Sequence, residues 1–249
     1  MTENEEHKSS TLRLLSFDVG IRNLSFAVLT YTYTQDLTTP WKSLTVEHWD
    51  SIDILTEGGC KVHHAKTVTP LRCGDFMIRA LHARPYLFAE PLDLILVEDQ
   101  PLRGGAGGVG SAKNKVLSHI LVTYCRCWYL AHPTETLPKF LMMSAKKKLR
   151  VNMAPERFCF LSTETTHTPS LAEKEEEKNY YHRKKKAKTM CQELLKRITI
   201  SETLLAHYHD KNKQDDMADS FLQGVFYLQE QQPKPSKKRK RQQIAPRVL

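Results

Sequence analysis

The sequence predicts one α/β domain built on a five-stranded mixed sheet with helices on its faces. Three observations lead there. Two runs, Leu12–Asn23 (LRLLSFDVGIRN) and Pro91–Gln100 (PLDLILVEDQ), are largely apolar on both faces, as strands buried in mid-sheet are. A segment with helical spacing precedes the second run and another follows it, which makes the two strands parallel. Between them Leu24–Tyr33 (LSFAVLTYTY), rich in β-branched and aromatic residues, follows the first run after only Ile21-Arg22-Asn23. So short a connection is a hairpin, and this second strand runs antiparallel to the first.

The remaining elements follow in order. Residues 1–10 are polar and predict disorder. Leu44–Asp50 (LTVEHWD) reads as a third strand, reached through a turn at Thr39-Pro40, and residues 56–70 as a polar loop. Arg72–Phe88 carries Phe76, Ala80, Leu81 and Leu87 at helical spacing. Gly104–Gly110 reads as a flexible loop. Ser111 is placed to cap a long helix to Leu130, with Val116, Ile120, Leu121 and Tyr124 as its apolar stripe. Lys139–Ser144 (KFLMMS) is a fifth strand. From Ala145 to Lys178 periodicity fades, and Pro155, Pro169 and the charge run Glu173–Lys178 predict a less ordered arm. Asn179–Ile198 resumes a helical pattern with a basic start. Asp215–Gln229 is amphipathic, with Met217, Phe221, Val225 and Leu228 facing inward. The domain therefore spans 11–232, and a basic, disordered tail spans 233–249.

A chain of 249 residues buries one sizeable core. It has no apolar run near the ~20 residues a membrane helix needs. The opening MTENEEHKSS is neither a secretory signal nor a transit peptide, so the expected setting is intracellular, soluble and not secreted. Six cysteines in such a setting predict reduced thiols. The formal charge of +9 is uneven: Pro233–Leu249 holds seven of the 37 basic residues and no acid, leaving 30 against 28 elsewhere. A second basic cluster surrounds Lys184. Such clusters suit a polyanion, nucleic acid first, although each alone also fits a solvated face or tail. The tail's KKRKR fits either a nuclear or viral-compartment localisation signal or a DNA tether.

Both central strands end in an acid, Asp18 and Glu98, and burying a carboxylate is costly unless a positive group meets it. Alone, Asp18 reads as a turn aspartate satisfied by backbone amides. The last helix adds Asp215, Asp216 and Asp219. Asp216/Asp219 and Asp215/Asp219 each share a helical face, and spacing does not choose between the pairs. First-turn acids also offset the helix dipole, which leaves Asp219, beyond that turn and among apolar neighbours, unexplained. If four such carboxylates converge, they stay ionised together only around hard cations, Mg²⁺ or Mn²⁺. Two such ions about 3.5–4 Å apart clamp the attacking and leaving oxygens of a phosphodiester.

In this order, DVGIRN, LILVEDQP, a basic helix and a late DDMADS resemble the RuvC-type Holliday junction resolvases of the ribonuclease-H-like superfamily, nearest the poxviral and fungal mitochondrial branch. The resemblance runs from about Leu12 to Leu228. It implies a ribonuclease-H-like sheet of order 3-2-1-4-5 with strand 2 antiparallel. Asp18, Glu98, Asp216 and Asp219 then become the catalytic metal ligands for two Mg²⁺, with Mn²⁺ able to substitute, and Asp216 is preferred over Asp215. HRKKKAK resembles the family's lysine-bearing segment, leaving Lys184, Lys185 and Lys186 as candidates and Lys185 as the central choice for the catalytic lysine. Arg183 and Lys113 join those three as DNA contacts. The resemblance further implies a homodimer that nicks a four-way junction symmetrically, and the Ser111–Leu130 helix is expected to form part of the dimer contact. No membrane partner is expected.

Other signals weigh less. Gly105–Gly110 is followed by Ser111-Ala112, not Lys-Ser/Thr, so it is no nucleotide phosphate loop. Cys60, His63, His64 and Cys73 lack paired zinc spacing. Cys125 and Cys127 read as core thiols, and Trp41, Trp49 and Trp128 as packing residues. The rival readings are a nuclease of the same fold that cuts RNA–DNA hybrids or flaps, and a non-catalytic nucleic-acid-binding protein.

Overall fold

Leu14, Leu15 and Phe17 are fully buried in the first strand, and this is why it lies at the centre. The computed structural model describes residues 11–33, 43–60, 67–100, 108–144, 147–151, 153 and 180–231. β1 (Thr11–Val19) and β2 (Asn23–Thr32) form the expected antiparallel hairpin, with Asp18 opposite Ser25. The turn is tight: Gly20 N donates to Asn23 O at 2.9 Å, and a Cβ on Gly20 would lie 2.8 Å from that same oxygen. β3 (Leu44–Asp53) continues the meander, and β4 (Leu94–Asp99) and β5 (Lys139–Ser144) lie parallel on the other side of β1.

The sheet order is β5-β4-β1-β2-β3-β6, which contains the expected order 3-2-1-4-5 with strand 2 antiparallel. It corrects the count from five strands to six. The added β6 (Thr199–Ile200) is only two residues long and pairs with Thr45 and Val46, too short to leave a pattern in the sequence.

Each face of the sheet is covered by helices. On one, Leu15, Phe17, Phe26, Ile95 and Val97 pack against α2 (Pro70–His82) and α3 (Gly108–Ala131). On the other, Leu14, Ala27, Leu29 and Leu96 meet α4 (Tyr180–Leu195), α5 (Glu202–Asp210) and α6 (Gln214–Gln231). Several boundaries differ from expectation. The predicted polar loop at 56–70 begins inside a short helix, α1 (Ile54–Glu57), capped by Asp53. The helix expected to Phe88 stops at His82, where Pro85 opens a separate 3₁₀ turn. α3 starts at Gly108, so Gly108 and Gly110, assigned to the flexible loop, are helical and Ser111 is not its cap. Cys127 is exposed, whereas Cys125 is a core thiol as expected. α5 was not foreseen; Ser201 caps it by accepting from Leu204 N. The arm is not wholly an excursion, because Val151 is buried and Leu149 and Met153 pack on the core. His63, His64, Trp41 and the tail lie outside the described residues.

Candidate active site

α6 is fastened to the sheet at three levels, and this fixes where its acids go. Trp49 Nε1 donates to Met217 O at 2.9 Å. Gln223 Nε2 donates to Ser16 Oγ and Phe17 O, each at 3.2 Å. Gly224 lets the helix press close, since a Cβ there would lie 2.6 Å from Leu29 Cδ1 and 3.1 Å from Leu14 Cδ1. The first turns of α6 therefore stand beside the C-terminal ends of β1 and β4.

There three carboxylates surround one ammonium. Lys148 Nζ lies 2.6 Å from Asp219 Oδ2, 3.3 Å from Asp18 Oδ1 and 3.3 Å from Glu98 Oε1. Lys148 occupies a 3₁₀ turn, Lys148–Arg150, just after β5, and its side chain is only 11% exposed. The fourth predicted acid is adjacent: Asp216 Oδ2 accepts from Asn23 Nδ2 at 2.8 Å, and Asp216 Oδ1 lies 3.6 Å from Lys184 Nζ. Lys184 also pairs with Asp215. Gln100 Nε2 donates to Glu98 Oε2 at 2.8 Å, and Ser118 Oγ donates to the Glu98 carbonyl at 3.1 Å.

The charge balance is unusual for so enclosed a group. Burial, then the Asp18 charge, raise Glu98 well above the ordinary carboxylate range. Burial, with repulsion from Asp18 and Asp216, raises Asp219 to about 6 despite Lys148. Asp216 is raised by burial and by Asp215 and Asp18. For Asp18 burial pushes upward, but Lys148, a hydrogen bond from Glu98 and Lys184 together hold it below its ordinary value. Of this pair Glu98 is the one pushed up and Asp18 the one held down.

Lysine 148 was missed by sequence reading. The signal present was a basic triplet, Lys146–Lys148, directly after a strand parallel to β4, beyond the carboxyl ends of the strands, where open α/β sheets place their sites. The favoured Lys185 is exposed on α4, as are Arg183 and Lys186. Lys113 donates to Val68 O at 2.9 Å, tying α3 to the segment before α2.

Among the described residues no three His, Cys, Asp or Glu side chains stand as a ready-made ligand group, and Lys148 lies between Asp18, Glu98 and Asp219. The donor set nevertheless fits a hard divalent cation. All its donors are carboxylate oxygens, three of them reach one positive centre, and Glu98, Asp216 and Asp219 remain short of neutralising charge.

No family model matches the chain, and no curated protein does. Among solved structures it is similar to the yeast mitochondrial Holliday junction resolvase Ydc2 at 17% identity and TM-score 0.49, covering 90% of this chain and 82% of that one. It is also similar to Thermus thermophilus RuvC in complex with Holliday junction substrate, at 10% identity and TM-score 0.46, covering 90% and 99%. A further Thermus thermophilus RuvC structure gives 11% identity and TM-score 0.43, with the same coverage. At this level of likeness the functional reading stands on the site geometry.

Proposed function

We propose that this chain is a divalent-metal-dependent endonuclease that resolves DNA four-way junctions by paired, symmetric nicking. The observation carrying the reading is the convergence of Asp18, Glu98 and Asp219, from three separate elements, on one cation position, with Asp216 beside it. Asp18, Glu98, Asp216 and Asp219 are the proposed metal ligands. Two bound Mg²⁺, or Mn²⁺, would supply Lewis acidity for an attacking water and for the departing 3′ oxygen of a phosphodiester.

The chain's own groups prepare that chemistry. Gln100 and Ser118 hold Glu98 from both ends, and Asn23 turns Asp216 toward the site. Lys184 neutralises part of the Asp215–Asp216 pair. Lys148, the buried ammonium nearest the acids, takes the role first given to Lys185, that of meeting the scissile phosphate. Arg183, Lys185 and Lys186 are exposed on α4 and suit backbone phosphates flanking the cut; Lys113 belongs to the same proposed DNA surface.

A two-fold symmetric junction favours a two-fold symmetric enzyme, so a homodimer completes the reading. Its proposed contact is α3, whose Val116 and Leu130 are exposed and which borders an apolar groove of about 530 Å³ with Ile78 of α2. The domain at 11–232 carries this activity, and the tail at 233–249 serves as tether or localisation signal.

The test compares synthetic four-way junctions, linear duplexes, flaps and RNA–DNA hybrids in Mg²⁺. Symmetric nicks confined to the junction are expected. Preferential cutting of hybrid or flap would transfer the site to another nuclease activity.

A further inference from the structure

Lys148 stands where a metal ligand sphere would have its centre. Its ammonium is 2.6–3.3 Å from oxygens of Asp219, Asp18 and Glu98, the same oxygens that the metal-dependent reading assigns to divalent ions. One set of oxygens cannot serve two cations at once, because each would be held in the other's repulsive field at contact range.

We propose that Lys148 is a resident counter-cation that exchanges with the divalent ions. Its ammonium gathers Asp18, Glu98 and Asp219 when no metal is bound, and it withdraws when metal enters. This rests on the metal-dependent reading above and adds to it an order of events. Lysine suits the role because it carries a compact charge on a flexible four-carbon stem, which swings away without moving the backbone; the planar guanidinium of arginine would lock two oxygens at once. The turn bearing Lys148 is held from below by Leu149 and Val151 in the core, so withdrawal is a side-chain motion and not an unfolding of the turn. Lys148 is in this respect a positioning residue, since it acts on the reaction through the carboxylates it assembles.

The exchange is read on the wild-type full chain by lysine labelling. A short pulse of an amine-acylating reagent, followed by peptide mass spectrometry, reports the accessibility of each ammonium. In EDTA Lys148 is expected to be protected and exposed Lys185 labelled. In saturating Mg²⁺, with binding registered separately as a rise in thermal midpoint, labelling of Lys148 should increase at least ten-fold while Lys185 stays constant. A thermal shift with Lys148 still protected overturns the exchange but leaves metal binding intact. Absence of both effects overturns the metal-dependent reading, and the exchange with it. As a second measure, Lys148→Met should bind Mn²⁺ about ten-fold more tightly by calorimetric titration, having lost its internal competitor. Equal or weaker binding by a folded variant contradicts the proposal.

Discussion

Glu98 and Asp219 keep protons that ordinary carboxyls lose, and the cause is burial joined to mutual repulsion. For such groups the folded chain binds more protons than the unfolded chain across the interval between the two values. Their contribution to stability is complete below the unfolded value and is lost as pH rises through the folded one. Asp18 has the opposite sign: held low mainly by Lys148 against burial, it contributes above its ordinary range and loses that contribution in stronger acid. The metal-free protein should therefore lose thermal stability as pH rises from about 4 through about 6, and Asp219→Asn should lessen that loss. A thermal midpoint that is flat across the interval in both proteins would contradict the assignment. The positions of the acids were legible because strand-end carboxylates and an i,i+3 pair leave a local pattern. Lys148 left only a basic triplet, Lys146–Lys148, that does not choose among its members, because its role depends on where the turn after β5 docks. Lys185 was favoured because a run of three lysines hides its helical phase, which turns Lys184 toward Asp215 and Lys185 to solvent.

At the scale of elements, α6 acts as the arm that carries two acids to the strand ends, and Gly224 leaves no room for a side chain between it and the sheet. A methyl there would meet Leu29 Cδ1 at 2.6 Å in a fully buried layer. Overpacking of that kind costs about 1–3 kcal/mol. The gain of about 1 kcal/mol from replacing a helical glycine offsets only part of it. Gly224→Ala should lower the urea midpoint and slow cleavage more than it weakens DNA binding, because lifting α6 displaces Asp216 and Asp219. An unchanged midpoint and rate would show that the helix is not pressed against the sheet. The amphipathic stripe of Met217, Phe221, Val225 and Leu228 made this helix readable in advance. β6 and α5 were not, since two paired residues and a nine-residue helix with one fully buried side chain, Tyr208, carry little periodicity.

Across the whole molecule the layering follows from the two-sided burial of β1 and β4, and it puts the ends of both strands and the start of α6 in one place. Strand directions were legible because connection lengths and helix placement fix them, whereas the strand order came from the family resemblance. The sixth strand and the docking of residues 147–151 were not, because both are long-range contacts without a local signal. The central claim, that this gathering of acids is a catalytic metal site for branched DNA, is tested most directly by Asp18→Asn on a synthetic mobile four-way junction with and without Mg²⁺. Symmetric, Mg²⁺-dependent nicks by the wild type are expected, and the variant should bind the junction with comparable affinity and cut it at least a hundred-fold more slowly, about 2.7 kcal/mol of lost transition-state stabilisation. Cleavage by the variant at the parental rate, or cleavage by the wild type that is indifferent to Mg²⁺, would contradict it.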